Sequence, residues 1–468
     1  MKKMRNYSLL LFSLVLSVIK ADAQQINAFT VQQAVDYANK NSVQVKNALL
    51  DILIQKQTNR EVTSLALPQI NGSVGVIHNI NVPVQPIPDF ISPATYQVLV
   101  DEDVKNGTTG QSITFPAGGF ANLLFPLGNP WTANGGISLS QILFDGQVFI
   151  ALKARNGTIT LQEKVAALTT ENIKANVYKL YYQLVAGKTQ IELLDANIDR
   201  LDKLKRDVQI MYDNGFTERV DIDKLTVQLS NLQTEKLKAE NMIRNGNSGL
   251  KMLMGMPFKD SLVLTDKLTD DQVKEGVLEA SQFKYGDRSD FQVSTITNEL
   301  NALNVRRYSL SQIPTLALIG GYSKQAQRQE FNFFGKGDWF TSSYIGLQVS
   351  VPIFNGFSTQ AKKQQAKLQL QKTQNQTEAL KITIDAEVDN AKNNFISAIS
   401  TMDFQKKNMA LAEKVYDQTK KKYEIGTGSS TEINTAQVDL KTAQTNYISA
   451  LYDAIIAKVD FLKATGKL

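Results

Sequence analysis

Two stretches of the chain carry apolar side chains at helical steps. In the first, Ile173, Val177, Leu180, Leu184, Ile191, Leu194, Ile198, Leu201, Leu204, Val208 and Met211 follow one another at threes, fours and a single seven. In the second, Leu380, Ile384, Val388, Ala391, Phe395, Ala398 and Met402 do the same, and Met409, Tyr416 and Tyr423 continue at sevens. Spacing near 3.5 residues is that of helices packed side by side along an apolar seam, as in coiled coils. Both stretches lack proline, whose ring removes a hydrogen bond and clashes with the preceding helical turn. Eight of the 11 prolines fall between Pro68 and Pro130, none occurs from Trp131 to Met256, and none follows Pro352. The rhythm breaks at Tyr212-Asp213-Asn214-Gly215 and at Tyr423-Glu424-Ile425-Gly426, and glycine is the usual helix stop. Uninterrupted helices are therefore predicted over residues 146–212 and 356–423, each roughly 100 Å long, in an elongated molecule.

Elsewhere the apolar positions alternate. Ile345, Leu347, Val349 and Val351 interleave with Gly346, Gln348 and Ser350; Ile137 and Leu139 with Ser138 and Ser140; Ile70, Val74 and Val76 with Asn71, Ser73 and Gly75. Period two with one apolar face describes a half-buried strand of a soluble antiparallel sheet. It describes a transmembrane barrel strand equally well, with lipid on one face and water on the other. Three features favour the barrel. The two tryptophans, Trp131 and Trp339, both precede the second strand of a pair, and Phe144 and Phe354 close those strands; aromatic residues at both ends suit the interfaces of a bilayer. The connection over residues 79–130 is long and rich in proline and glycine, as loops on one side of outer-membrane barrels are. The apparent signal peptide described below would export the chain. Four strands cannot close a barrel, and open edges are not tolerated in lipid, so a barrel requires several copies of the chain.

The chain repeats itself. Gly136-Ile137-Ser138-Leu139-Ser140 resembles Gly346-Leu347-Gln348-Val349-Ser350 at an offset of 210, and Leu143-Phe144-Asp145-Gly146 matches Ile353-Phe354-Asn355-Gly356 at the same offset. Tyr212 and Gly215 correspond to Tyr423 and Gly426 at 211, as Gly255 does to Gly466. A constant offset of this reach implies a duplicated unit, each copy reading helix, strand, strand, very long helix, shorter helix. The boundaries are residues 24–257 and 288–468, joined by a polar connector over 258–287 that carries Asp260, Asp266, Asp270 and Asp271. Residues 1–23 read as a signal peptide: a basic start, an apolar run over 8–19, and Ala21-Asp22-Ala23 as a small-x-small cleavage pattern.

Composition narrows the functions. With no cysteine and one histidine, His78, thiolate chemistry and a His-pair zinc site within one chain are excluded. No cofactor is expected. The formal charge of +6 falls to +3 without residues 1–23, spread over 47 basic and 44 acidic side chains. Such balance gives little support to a nucleic-acid partner. Gly187-Lys188-Thr189 looks like the end of a phosphate loop, but Tyr182 stands where its first glycine should be and the segment lies in a helical pattern. No G-x-S-x-G motif and no isolated carboxylate pair is present, so an enzyme is not expected.

The duplicated strand-strand-long helix order, the F-D/N-G junctions and the two glycine tips resemble the TolC-type outer-membrane efflux family, over essentially residues 29–468. The resemblance implies a mostly α chain with a transmembrane β part. It implies a homotrimer whose twelve-stranded β-barrel in the outer-membrane lipid continues into a periplasmic barrel of twelve helices with coiled-coil tips. The tips, at Gly215, Phe216, Thr217, Gly426, Thr427 and Gly428, would dock on a periplasmic adaptor linked to an inner-membrane efflux pump. By the same resemblance Asp221 and Tyr423 match a carboxylate–tyrosine link of the periplasmic gate, and Glu432 an aperture carboxylate. Gly428 stands where the family has an arginine. Asp221 and Glu432 also read simply as early acidic residues favourable to a helix start. A channel for secreted proteins and an exported coiled-coil scaffold without a pore remain alternatives to small-molecule efflux.

Overall fold

The computed structural model describes residues 26–126, 128–274 and 283–468. The expected signal peptide, residues 1–23, lies outside the described residues, as does part of the connector. In chain order the elements are β1 (Ile26–Phe29), α1 (Val31–Asn41), α2 (Val43–Ser64), β2 (Gln69–His78), β3 (Val84–Ile87), α3 (Ile91–Asp101), β4 (Leu123–Pro126), β5 (Trp131–Phe144), α4 (Gly146–Asp213), α5 (Arg219–Met254), β6 (Ser261–Leu264), α6 (Asp271–Lys274), α7 (Ser289–Leu310), β7 (Thr315–Arg328), β8 (Phe340–Ser350), α8 (Ser358–Glu424) and α9 (Ser430–Ala464). They form two compact units. A helical unit comprises residues up to 58, 154–305 and 364–468; a strand unit comprises 59–153 and 306–363.

In the helical unit the predicted apolar steps are the packed ones. The residues named above on α4 and α8 are buried or half-buried throughout. Ile173, Val177 and Tyr181 of α4 share a core with Leu250 and Met254 of α5, Phe395 and Met402 of α8, and Leu451 and Ile455 of α9. A second core joins Leu204 and Val208, Ile222 and Leu225, Tyr416 and Tyr423, and Ile433 and Leu440 of the same four helices. Thr30 starts α1 with a reciprocal capping box to Gln33, and β1 pairs in parallel with β6. The buried Tyr181 Oη donates to Phe29 O at 2.8 Å. Arg288, just before α7, donates to Ala464 O at 3.1 Å and pairs with Asp290 at 2.6 Å and Glu387 at 2.8 Å.

The strand unit is one antiparallel sheet in the order β2-β5-β7-β8, with a separate β3–β4 pair. Residues 79–130 are thus more than an irregular connection, because they contain that pair and α3. Asp89 Oδ1 accepts from the backbone N–H groups of Ile91 (3.0 Å) and Ser92 (2.9 Å) at the start of α3. Pro93 is tolerated there because first-turn N–H groups have no helical acceptor. Two strand ends differ from expectation. Trp131 begins β5 rather than preceding it, and β8 stops at Ser350, four residues short of Phe354; Pro352 follows and offers no ladder donor.

The duplication carries two offsets rather than one. Val43 and Ser289, which begin α2 and α7, lie 246 apart, as do Gln69 and Thr315, whereas Arg219 and Ser430 lie 211 apart. The longer 79–130 segment separates the two registers. Gly255 and Gly466 stand in matching surroundings. A Cβ on Gly255 would stand 2.3 Å from Asn41 O, and one on Gly466 would stand 2.7 Å from Asp287 O. Asn41 and Asp287 are themselves 246 apart, so each shorter helix ends against the equivalent backbone of its own repeat.

Candidate functional site

The register of the sheet sorts its side chains into two faces. Directly paired residues point the same way. Ile70 pairs with Leu139, Leu139 with Gly320 and Gly320 with Ile345. The same face carries Val74, Ile137, Leu318, Leu347 and Val349; Leu139 and Leu318 are half-buried, and the others stand open, Val74 89% and Ile345 76% exposed. The other face carries Asn71, Ser73, Asn134, Ser138, Ser140, Ser323, Gln325, Ser342 and Gln348, and no charged residue of the four strands lies on it. Within one chain the apolar face has no cover and β2 and β8 have one free edge each. In water this would be an aggregation surface.

The tips are two copies of one hydrogen-bonded turn. Gly215 N–H donates to Tyr212 O (2.9 Å) and Phe216 N–H to Met211 O (2.8 Å); Gly426 N–H donates to Tyr423 O (3.0 Å) and Thr427 N–H to Lys422 O (3.0 Å). The glycines are left-handed, with φ of +79° and +78°, which is the Schellman way of ending a helix. Nothing lies within 4 Å of where their Cβ atoms would be, so they serve the reversal and not a close approach. Phe216 (79%) and Ile425 (74%) remain exposed beside them, with Ile210 and Val220. Gly428 differs: its N–H donates to Lys422 O at 3.0 Å, and a Cβ would press on Tyr423 N at 3.0 Å.

Of the predicted gate residues, Asp221 and Tyr423 lie in one region of the helical unit, and no hydrogen bond joins them among the described residues. Asp221 accepts from Thr217 Oγ1 at 2.8 Å and stands 3.5 Å from Lys224 Nζ. Tyr423 is only 7% exposed, and its Oη finds no partner. Burial, then the charges of Asp221 and Asp207, push its phenol above the usual range, so it stays a protonated donor. Glu432 belongs to a capping box: Ser429 Oγ accepts from Glu432 N–H at 3.1 Å, and the carboxylate reaches back to Ser429 N–H at 3.5 Å. The S-x-x-E spacing of Ser429 to Glu432 is a legible signal for this. A buried amide set escaped the sequence reading. Asn197 Nδ2 donates to Gln444 Oε1 at 3.0 Å, and Gln437 Nε2 donates to Asn197 Oδ1 at 2.8 Å. Lone polar residues in an apolar seam fix helix register, but their partners are 240 or more residues away in sequence.

Among the described residues no helix is long and apolar enough to cross a membrane, and no cluster of metal-ligating side chains occurs. The family model for outer membrane efflux proteins matches residues 303–467. The outer membrane protein TolC of Vibrio cholerae is 20% identical over 72% of this chain and 77% of its own length. The alkaline protease secretion protein AprF of Pseudomonas aeruginosa is 22% identical over 71% of this chain and 68% of its own. The crystal structure of CusC shares the fold, with a TM-score of 0.70 at 15% identity over 93% of this chain and 91% of that one. With its duplicated strand and helix order and paired glycine tips, the chain is similar to outer-membrane efflux proteins of the TolC type and shares the fold of solved outer-membrane channels.

Proposed function

We propose that the protein is the outer-membrane channel of a tripartite export system, passing small molecules from an inner-membrane pump and a periplasmic adaptor to the outside. The observation that carries this reading is the uncharged polar face of the sheet set against an open apolar one. Water on the first and lipid on the second would satisfy both, and only closure with other copies would pair β2 and β8. Four strands per chain give twelve in the homotrimer that the family resemblance implies. A second feature supports assembly. α8 buries Ile384, Phe395 and Met402 yet leaves Ile382, Ile396, Phe404 and Leu411 exposed, so it is apolar on a face its own chain does not cover. Residues 24–257 and 288–468 are the proposed repeats, with 258–287 between them.

The reversals at Gly215, Phe216 and Thr217 and at Gly426, Thr427 and Gly428 are the proposed adaptor contacts, through Phe216 and Ile425. Asp221, Tyr423 and Glu432 are the proposed periplasmic gate, Tyr423 holding a donor in reserve for an acceptor on another helix. Secretion of proteins through the same fold is the second reading, favoured by the similarity to AprF. Cysteine labelling of intact cells tests the topology cleanly, since the chain has no native cysteine. An impermeant maleimide should label Asn106→Cys and not Phe216→Cys; the reverse pattern overturns the model. Co-purification of an adaptor and a pump, and the pump's class, separates small-molecule from protein cargo.

A further inference from the structure

The apolar face of the sheet carries a lysine among its aliphatic residues. The row that joins Val74, Gly135, Lys324 and Thr341 across the four strands puts a lysine on the face otherwise occupied by Ile70, Ile137, Leu139, Leu318, Ile345 and Leu347. The charged residues of this face are Lys324 and Arg328. Arg328 is committed to the β7–β8 loop, its Nη2 donating to Asp338 O at 3.1 Å. Lys324 is exposed, and no ion pair to it occurs among the described residues. Beside it lies a groove of about 680 Å³. Its floor is Gly72 and Gly135, and its walls include Val74, Ile137, Tyr322 and Trp339. Gly72 has nothing within 4 Å of where a Cβ would be, and Gly135 has Val74 Cγ2 at 3.8 Å and Ser73 O at 4.0 Å, ordinary contact distances. One row further along, Ala133 and Ala326 are buried beneath Phe333. Phe333 belongs to an aromatic group with Phe331, Trp131 and Trp339, whose neighbouring ring centroids are 5.1–6.3 Å apart.

We propose that this groove is a binding site for an anionic membrane lipid, the Lys324 ammonium meeting the headgroup phosphate and an acyl chain lying over Gly72 and Gly135. The inference rests on the reading that this face meets lipid. The charge selects the occupant. An unpaired ammonium on a hydrocarbon-facing strand is costly unless it reaches an anion or water at the interface. The aromatic group next to it has the composition of an interfacial belt, which sets the ammonium at headgroup depth. The missing side chains at two diagonal positions, Gly72 opposite Ile137 and Gly135 opposite Val74, open a channel beside it on the apolar face. A neutral lipid would fill the groove and leave the lysine unpaired; a soluble anion would pair the lysine and leave the groove empty.

The two tryptophans of the chain make the test direct, because Trp339 lines the groove. Full-length trimer carrying Trp131→Phe is reconstituted into phosphatidylcholine vesicles, so that Trp339 alone reports. Brominated phosphatidylcholine or brominated phosphatidylglycerol is then included at equal low mole fraction. Quenching per mole should be about fivefold greater for the anionic lipid, the enrichment expected of one lysine at an anionic headgroup. The excess should vanish in Lys324→Gln, persist in Lys324→Arg, and fall in Gly135→Leu, which fills the groove without changing charge. Equal quenching by both lipids overturns the site while leaving the lipid-facing sheet intact. Quenching by neither overturns the barrel reading and the site with it. An excess that survives Lys324→Gln removes the lysine as the ligand and overturns the proposal. Should Lys324→Gln fail to assemble, Lys324→Arg and Gly135→Leu decide between the same outcomes.

Discussion

Single residues in this chain separate conformational need from packing need. Gly215, Gly255, Gly426 and Gly466 all end helices with φ between +71° and +79°, and alanine at any of them adds about 1–2 kcal/mol of left-handed strain. At Gly255 and Gly466 the new Cβ would also meet a backbone oxygen. Gly255→Ala and Gly466→Ala should therefore destabilise by roughly 3 kcal/mol or more, well beyond Gly215→Ala and Gly426→Ala. Thermal unfolding followed by circular dichroism measures this, and equal losses at all four would show the tips to be packed as well. Tyr181 supplies a pH-dependent test. Burial, chiefly, pushes its phenol from 10 up to about 12. A raised folded value means that its contribution is whole below pH 10 and is lost as pH climbs from about 10 through about 12. Tyr181→Phe should cost about 1 kcal/mol at neutral pH through the lost hydrogen bond to Phe29 O. It should also flatten the fall in melting temperature between pH 9 and pH 12, by about one proton's worth.

At the scale of elements, the faces of strands and helices decide what each substitution does. Arginine in place of Ile345 would stand on the apolar face, where a midplane cation costs about 2–4 kcal/mol. Arginine in place of Ser138 would stand on the polar face. Ile345→Arg is expected to lose most heat-modifiable, membrane-assembled protein, and Ser138→Arg to assemble at close to the wild-type level; equal assembly of the two would mean that the face is not in lipid. The buried amides act across helices. Asn197→Leu strips Gln437 and Gln444 of their partner, leaving two buried polar groups at about 1–3 kcal/mol each. The loss should appear as a lowered melting temperature of the helical signal.

The whole molecule is where the proposed gate can be read. Glu432 both caps α9 and stands near the tip turn, so a charge effect must be separated from a helix-start effect. Glutamine preserves the capping box and removes the charge, which makes Glu432→Gln the informative change. In planar bilayers it should lower cation selectivity, because repeated carboxylates at a constriction favour cations, while melting stays unchanged. Asp221→Ala with Tyr423→Phe should raise conductance. Wild-type conductance in that double variant would leave Tyr423 as a packing residue of the α4–α8 seam.

Much of this was written in the order of residues, for a physical reason. Helices and strands announce themselves by periods of 3.6 and 2, so α4, α8 and the strand faces were legible from apolar spacing, and the glycine stops from local backbone chemistry. Repetition made the duplicated unit readable, and the S-x-x-E spacing before α9 was there to be read. Residues 79–130 were not. Their strands are only four residues each, too short for period two to show, and α3 depends on the local cap at Asp89. The offset of 246 between the first helices and strands went unread because the longer 79–130 segment shifts the numbering there, while the 210–211 offset holds from the second strands onward. Three further features needed the folded chain. The Asn197–Gln437–Gln444 set joins residues hundreds apart. The unpartnered Tyr423 hydroxyl shows only once its surroundings are packed. The Lys324 groove exists because pairing brings Gly72 and Gly135 beside it from separate strands. Spacing along a chain records which face a residue takes, but register between distant segments is set by packing and hydrogen bonding in three dimensions, and only the tertiary structure decides it.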